Sequence, residues 1–237
     1  TYPHATRVVA LTRGTADWLA QHVPGSRLAV IPNPVHWPLA RAEPVVAPPA
    51  ANGRNRALAV GRLHSDKGFD LLIQAYARIA GERPDWDLVI LGEGGERQAL
   101  EAQVEAAGLQ GRVFMPGRVG NVGDWYHSAD LYVLSSRFEG LSNTLLESLA
   151  SGVAAVCFDC DTGPREVVRD GVDGLLVRPN GDVAALAAAL SGLMGDAARR
   201  QALAQRAVEA RERFSAQRVL GMWQQLFDEV RGPGQQP

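Results

Sequence analysis

The sequence predicts an α/β fold built on a Rossmann-like, doubly wound parallel sheet, and three observations support this prediction. Short apolar runs recur along the chain, and segments with helical periodicity separate most of them. Most of these runs are apolar throughout, which is typical of parallel strands covered by helices on both faces. The chain has 237 residues, 46% of them hydrophobic, which is enough to bury a large core.

The chain begins with a predicted strand, helix and strand, assigned to a first unit at residues 1–35. The strands are placed at residues 7–11 and 28–31, and the helix at 12–21 with Thr12 as its N-cap. Proline blocks both helix and ladder hydrogen bonds. A group of prolines therefore predicts a linker within residues 32–55, of which 36–55 is assigned as the segment between the two units: Pro32, Pro34, Pro38, Pro44, Pro48 and Pro49.

Regular alternation of strands and helices follows the linker and predicts a main domain at residues 56–213. The predicted strands are residues 57–60, 87–91, 112–115, 131–134, 153–158 and 175–177. The predicted helices between them are residues 69–80, 96–107, 143–150 and 183–194. Two further helices are predicted at residues 197–213 and 216–230, the second within a carboxyl-terminal segment at 214–237.

Composition and charge argue against several functional classes. The 24 Lys and Arg residues are balanced by 26 Asp and Glu, for a net charge of −2, whereas nucleic-acid-binding domains normally carry a basic surplus. No apolar run approaches the roughly 20 residues of a membrane span. Two cysteines cannot form a disulfide framework in a chain of this length, which favours a reducing, cytoplasmic location.

The first candidate binding segment reads GRLHSDKG, from Gly61 to Gly68, directly after the strand at residues 57–60. Ligands of parallel α/β sheets bind beyond the carboxyl ends of the strands. Glycine lets the backbone approach a ligand closely, while Arg62 and Lys67 place two cations at this edge, which suits a diphosphate. Taken alone, the same residues also fit a solvated loop with two surface cations.

The strongest candidate segment reads SSRFEGLSNTLLESLASG, residues 135–152. Glu139 is predicted to end the preceding strand, and Gly140 begins a turn into a helix that carries Glu147. Because the first backbone N–H groups of a helix are free, a phosphate could approach those of Leu141, Ser142 and Asn143.

Glu139 and Glu147 could form an acid–base pair or could hold separate parts of one ligand. In a continuous helix they would lie about 12 Å apart, at about 1.5 Å per residue. The carboxyl pairs of glycosidases lie about 5–9.5 Å apart. Separate roles on one extended ligand fit this spacing better, and two surface glutamates are the plain alternative.

Two other segments carry weaker signals. LGEGGE, residues 91–96, resembles a dinucleotide fingerprint but lacks its third glycine, because Arg97 stands there, so a plain strand-to-helix turn is the preferred interpretation. CFDCDTGPREVV, residues 157–168, contains one C-x-x-C and one D-x-D, but no second cysteine pair or nearby histidine completes a zinc site. We therefore predict no metal ligands.

Together these motifs resemble the carboxyl-terminal domain of glycosyltransferase family 4. GRLHSDKG, LGEGGER, GRVGN, FEGLSNTLLESLASG and TGPREVVRDGVDGLLV occur in the family's order and spacing, over about residues 56–227. Two glutamates that flank seven residues are the family's signature. Members are retaining enzymes of the GT-B architecture, in which two Rossmann-like domains face a cleft, so the resemblance implies that this chain is one half of such an enzyme.

The resemblance implies a role for each matching residue. Arg62, Lys67 and Glu139 would be catalytic: the two cations would stabilise the donor's diphosphate, and the glutamate would contact the donor sugar. Glu147 would accept hydrogen bonds from the ribose hydroxyls. Residues 118 and 119 would frame the base. The other donor-binding residues, these two included, would act largely through their backbone: Gly61, Arg118, Val119, Gly140, Leu141, Ser142 and Asn143.

The resemblance also implies the reaction and its partners. A UDP-sugar is the favoured donor, a glycan or lipid-linked molecule is the acceptor, and no cofactor or metal is required beyond the nucleotide-sugar co-substrate. The leaving phosphate would itself take the acceptor's proton. The expected location is the cytoplasm, with peripheral association of the full enzyme at the cytoplasmic face of the membrane as a further option.

The chain departs from the family pattern at its front. Residues 1–35 resemble only the last strand, helix and strand of the acceptor-binding domain, and the helix in residues 214–237 normally returns to that domain. We therefore expect this chain on its own to bind a nucleotide sugar but to transfer it poorly. The competing interpretations are an NAD-dependent oxidoreductase, a sugar-nucleotide epimerase of similar architecture and a non-catalytic nucleotide-sugar-binding module.

Overall fold

The computed structural model of the chain describes residues 5–50 and 52–231. Its first unit is a parallel two-stranded sheet in which a helix connects the strands: β1 (Val8–Ala10), α1 (Arg13–His22) and β2 (Leu28–Val30). The Thr12 hydroxyl accepts a hydrogen bond from the Thr15 N–H, so the predicted N-cap of α1 is confirmed.

A six-stranded parallel sheet forms the main body of the molecule. Its strands are β3 (Asn55–Val60), β4 (Trp86–Leu91), β5 (Val113–Gly117), β6 (Leu131–Leu134), β7 (Ala155–Phe158) and β8 (Gly174–Val177). The predicted α/β class with a doubly wound parallel sheet is confirmed.

Helices cover both faces of this sheet, except that the last helix of the chain packs on the two-stranded sheet of the first unit. They are α2 (Phe69–Ile79), α3 (Arg97–Ala106), α4 (Val122–His127), α5 (Asn143–Ala150), α6 (Pro164–Val167), α7 (Val183–Gly195), α8 (Ala197–Ala207), α9 (Ala210–Arg213) and α10 (Ala216–Arg231). None of the helices within the described ranges has the length and apolar character that crossing a bilayer requires.

The strand order fixes where a ligand can enter. The order across the sheet is β5-β4-β3-β6-β7-β8, so the chain winds outward in one direction from β3 and in the other direction from β6. Crossover connections on opposite faces leave a crevice at the carboxyl ends of two such central strands. The loops after β3 and β6 carry the two strongest candidate segments, which therefore meet at this crevice.

The sheet separates two hydrophobic cores. Along β3, Ala57 and Ala59 face the core beneath α2, α3 and α7, whereas Leu58 faces the core beneath α4 and α5. All three side chains are buried. Because strands in such a sheet are apolar on both faces, they appear in the sequence as continuous runs, which is the pattern that predicted the fold.

The predicted linker at residues 36–55 is an extended segment that is hydrogen-bonded to the main body. The Ala42 N–H donates to the Gly120 carbonyl at 2.9 Å, and the Gly120 N–H donates to the Pro44 carbonyl at 2.7 Å. Asn121 then pairs with both backbone groups of Val46, at 2.9 and 3.0 Å. This segment lies against the loop that carries Arg118. Asn55, the last residue of the predicted linker, already belongs to β3.

Apart from shifts of a few residues at element ends, two predictions about the elements are wrong. Glu139 does not end the strand: β6 stops at Leu134, and Glu139 lies in the loop that follows. The helix predicted at residues 197–213 is divided into α8 and α9. The buried Ala207 and Ala210, on either side of the break, both belong to the core that contains α5.

Candidate functional site

The loops after β3 and β6 are joined by direct contacts. The Lys67 ammonium lies 2.8 Å from Glu139 Oε2, and the Ser136 hydroxyl donates to the same oxygen at 3.0 Å. The Ser135 hydroxyl donates to the Lys67 carbonyl at 2.9 Å. Lys67 and Glu139 are separated by 72 residues in the chain, so only the sheet brings them together.

The Lys67–Glu139 ion pair is shielded from water. The two side chains are 19% and 11% exposed, respectively. Ionic interactions are stronger in such a setting than at a fully solvated surface. Lys67 is also the only lysine among the chain's 24 Lys and Arg residues, a signal that the sequence offered and that our prediction did not use.

A cavity of about 400 Å³ opens beside this ion pair. It contains four of the predicted residues, Arg62, Lys67, Glu139 and Gly140. The other lining residues were not predicted to form the site: Asp66, Arg137, Phe138, Cys160, Asp161 and Thr162. We call this space the ion-pair cavity.

A second cavity, of about 530 Å³, lies at the carboxyl ends of β3 and β4. It also contains Arg62, so this side chain lies between the two spaces. Four more predicted residues line it, together with apolar side chains of the strand ends: Gly61, Arg118, Val119 and Glu147, with Val60, Leu91 and Val122. We call this space the apolar cavity.

Two of the three arginines that line these cavities are available for an anion. Arg62 and Arg118 are exposed, and neither forms an ion pair with an acidic side chain among residues 5–50 and 52–231. Most other arginines near the site are already engaged, as in the bidentate pair of Arg137 with Asp70 at 2.7 Å. Arg62 therefore offers a cation where the two cavities meet, and Arg118 offers a second one in the apolar cavity.

Glu147 is positioned by α5 and by a buried tyrosine. The Tyr126 hydroxyl donates to Glu147 Oε2 at 3.1 Å. Burial raises the pKa of the Glu147 carboxyl above its usual value, and the hydrogen bond from Tyr126 partly opposes that shift. Glu147 also lines a third cavity, of about 300 Å³, which extends toward the linker segment and contains Asn143.

The start of α5 offers unpaired backbone donors. The Ser142 hydroxyl caps the helix by accepting from the Leu145 N–H, while the side chain of Leu141 is buried in the core. Within the described part of the chain, the N–H groups of residues 140–144 have no hydrogen-bond acceptor. Gly140 at the ion-pair cavity and Asn143 at the third cavity belong to this run of donors.

The glycines of LGEGGE permit close backbone contact. A Cβ at Gly92 would lie 1.8 Å from the Gly61 carbonyl oxygen, and one at Gly94 would lie 2.3 Å from that of Leu63. The segment is a strand-to-helix turn, as interpreted from the sequence, but Gly92 and Glu93 also line the apolar cavity. Sequence reasoning did not assign them to the site.

The loop before α6 packs directly on the Glu139 loop. Gly163 has φ +92°, and a Cβ there would lie 1.5 Å from the Gly140 carbonyl oxygen. The Thr162 hydroxyl donates to the Glu139 carbonyl. The CDTGPREVV segment is therefore a support for the ion-pair cavity and supplies part of its wall.

Gly163→Ala should displace this loop. We expect it to destabilise the fold by about 2 kcal/mol more than Gly171→Ala, because overpacking adds to the strain of a positive φ. Gly171 is the matched control, since it has φ +73° and no atom within 4 Å of where a Cβ would lie. Denaturant unfolding measures the difference, and equal losses in the two variants would contradict the packing role.

The cysteine and aspartate motifs do not form a metal site. Cys157 and Cys160 are buried free thiols, and burial raises the pKa of both, that of Cys160 to about 12. Asp159 is buried and forms ion pairs with Arg165 and Arg178. Among residues 5–50 and 52–231, no group of three or more His, Cys, Asp or Glu side chains is arranged to hold a metal ion.

Comparison with known proteins places the chain in a family. The family model described as "Glycosyl transferases group 1" matches residues 44–210. The chain is 35% identical over 232 residues to an exopolysaccharide phosphotransferase of Streptomyces coelicolor. It is 28% identical over 231 residues to an amylovoran biosynthesis glycosyltransferase of Erwinia amylovora. Each alignment covers 96% of this chain.

A solved structure shows the same fold. The structure of TarM from S. aureus, in complex with Fondaparinux, alpha-GlcNAc-glycerol and UDP, matches with a TM-score of 0.85 at 21% identity over 96% of this chain. The expectation that this chain has the fold of one half of a GT-B glycosyltransferase is thereby confirmed. This chain spans 24% of the Streptomyces relative, 63% of the Erwinia relative and 45% of the TarM chain.

Proposed function

Because the chain belongs to the glycosyl transferases group 1 family, we propose that it supplies the nucleotide-sugar site of a retaining glycosyltransferase of family 4. The observation that carries this proposal is the pair of cavities that share Arg62 at the carboxyl ends of the central strands. One cavity is lined by apolar strand ends and the other by an ion pair. A nucleotide sugar needs an apolar surface for its nucleoside, a cation for its diphosphate and polar side chains for its sugar, in this order.

The nucleoside would occupy the apolar cavity. Val60, Leu91 and Val119 offer apolar contact to a base, and the Glu147 carboxylate can accept hydrogen bonds from the two ribose hydroxyls. UDP is present in the matching TarM structure, which supports a uridine nucleotide here. The amide groups near residue 118 would complete the contacts to the base.

The diphosphate would lie at Arg62, where the cavities meet, and the sugar in the ion-pair cavity. An arginine fork can bind two phosphate oxygens, and Lys67, which lines the ion-pair cavity with Arg62, supplies a compact charge. The free N–H groups of residues 140–144 can bind phosphate or sugar oxygens. Glu139, held by Lys67 and Ser136, would accept hydrogen bonds from sugar hydroxyls.

The chemistry follows from where negative charge develops. As the bond between the sugar and the diphosphate breaks, charge accumulates on the leaving phosphate, and prearranged cations and N–H donors lower the barrier. In a retaining reaction on one face, the phosphate oxygen takes the proton of the acceptor hydroxyl that attacks the sugar carbon. The acceptor would be a glycan or a lipid-linked glycan, a class that the Erwinia relative's role in amylovoran biosynthesis supports.

Donor binding can be tested on this chain alone. We expect a UDP-sugar to raise the melting temperature more than GDP- or ADP-sugars do, because a ligand that binds only the folded state stabilises it. Lys67 offers a second readout, because an amine-acylating reagent can modify only this lysine and the amino terminus. The same UDP-sugar should slow acylation of Lys67 and leave the amino terminus unaffected. Absence of both effects would contradict the proposed site.

The Streptomyces relative motivates a second candidate, transfer of a sugar phosphate. The two reactions release different nucleotides from a UDP-sugar. Glycosyl transfer breaks the bond between the sugar and phosphate and releases UDP, whereas sugar-phosphate transfer breaks the bond between the phosphates and releases UMP. Product analysis with the complete enzyme distinguishes them, and it also reveals an epimerase, which would release neither. Binding without turnover would favour a non-catalytic module.

A further inference from the structure

The amino-terminal end of α1 is bound by a carboxylate from the main body. The first N–H groups of a helix have no partner within the helix. In α1, the Arg13 N–H donates to Glu166 Oε2 at 2.9 Å and the Gly14 N–H donates to Glu166 Oε1 at 3.0 Å. Thr12 satisfies the next two N–H groups, those of Thr15 and Ala16. Both oxygens of one distant side chain thus complete the helix start.

Glu166 belongs to the segment that supports the ion-pair cavity. It lies in α6, three residues after Gly163, which packs against Gly140. Thr162 lines the cavity and donates to the Glu139 carbonyl. A displacement of Glu166 would therefore be transmitted to the loop that carries Glu139.

Direct packing accompanies the two hydrogen bonds. A Cβ at Gly14 would lie 3.0 Å from Thr162 Cγ2 and 3.1 Å from the Asp161 carbonyl oxygen, so the helix start rests on the cavity wall itself. A negative charge at a helix amino terminus is also favoured by the helix dipole. A second contact between the same two units joins Asn33 Nδ2 to Asn143 Oδ1 at 3.0 Å.

We infer that Glu166 is a positioning residue for the proposed transfer reaction. It ties the unit that contains α1 to the wall of the cavity in which the donor sugar would be held, and so fixes the approach of an acceptor carried on that unit. This inference rests on the proposed function. Glu166 does not line the apolar cavity or the ion-pair cavity, so its effect should appear in transfer and not in donor affinity.

The test compares Glu166→Ala with Glu166→Gln in the complete enzyme. We expect Glu166→Ala to lower kcat for transfer by at least about tenfold, the scale of a single charge-assisted hydrogen bond, because two are lost, with the donor Kd unchanged within about twofold. Hydrolysis of the donor by water should rise relative to transfer, since the acceptor is held less well. Glu166→Gln keeps one acceptor oxygen and should recover part of kcat. Glu105→Ala, an exposed glutamate on α3, is the matched control.

Amide hydrogen exchange gives a direct readout of the contact. Exchange at Arg13 and Gly14 should accelerate in Glu166→Ala and stay unchanged in Glu105→Ala. An unchanged kcat and an unchanged hydrolysis ratio would overturn the inference. Parallel losses of donor affinity and kcat would also overturn it, because they would place Glu166 in donor binding. If wild-type protein binds no nucleotide sugar, the proposed function itself fails, which is a separate result.

Discussion

Replacing Lys67 with alanine should lower the turnover of the complete enzyme by about a hundredfold, the scale of one electrostatic donor at a developing charge. The effect is expected to be large because this cation is shielded from water. Its side chain is only 19% exposed, so water screens it poorly. Its removal would also leave the Glu139 carboxylate at the cavity wall without its cationic partner.

The control variants separate charge from geometry. Lys67→Arg keeps the charge but replaces a compact ammonium with a planar fork, so a partial recovery is expected. Arg78→Ala removes an exposed cation from α2, away from both cavities, and should leave turnover unchanged. Steady-state kinetics and thermal unfolding of each variant provide the measurement. Near wild-type turnover in a folded Lys67→Ala variant would rule out the assigned role.

Replacing Glu147 with glutamine should weaken donor binding by about a hundredfold, because two hydrogen bonds to a charged acceptor would be lost or weakened. The same change should stabilise the protein without donor near neutral pH. Burial raises the pKa of Glu147, so the folded state disfavours its ionised form. Glutamine can still accept the hydrogen bond from Tyr126 and carries no charge.

The pH dependence of this stabilisation has a definite sign. A carboxyl group with a raised folded-state pKa costs nothing below its unfolded pKa of about 4.3, where both states are protonated. Its penalty grows as the pH rises through the folded-state pKa. The melting temperature of Glu147→Gln should therefore exceed that of wild type at about pH 7 and match it below about pH 4. The exposed Glu82→Gln is the control, and a lower melting temperature at neutral pH would contradict the argument.

Local signals predicted the elements of the fold closely. The start of α5 at Asn143 and the cap of α1 at Thr12 are short-range features, since a capping side chain binds an N–H only three residues away. The position of Glu139 was predicted wrongly because the apolar run that marks β6 contains no signal for the irregular loop after it. The break between α8 and α9 was missed because neither glycine nor proline marks it in the sequence.

For the candidate site, the sequence identified residues but not their arrangement. It named Arg62, Lys67 and Glu139 because glycine-containing loops after buried strands carry them, and Glu147 because it lies in the helix that follows the Glu139 loop. It did not show that Lys67 and Glu139 are paired or that Glu147 lies at a different cavity from Glu139. Gly92 and Glu93 were not assigned to the site because a turn and a cavity wall have the same local sequence pattern.

The sequence by itself determined the parallel α/β class and the loops in which binding residues would be found, because periodicity, glycines and caps act over a few neighbouring residues. The tertiary structure alone decided that β3 and β6 are the central neighbours, that two cavities share Arg62, and that Glu166 binds the start of α1. These contacts join residues separated by about 70 to 150 positions. Their geometry depends on strand order and helix packing, which no local pattern encodes.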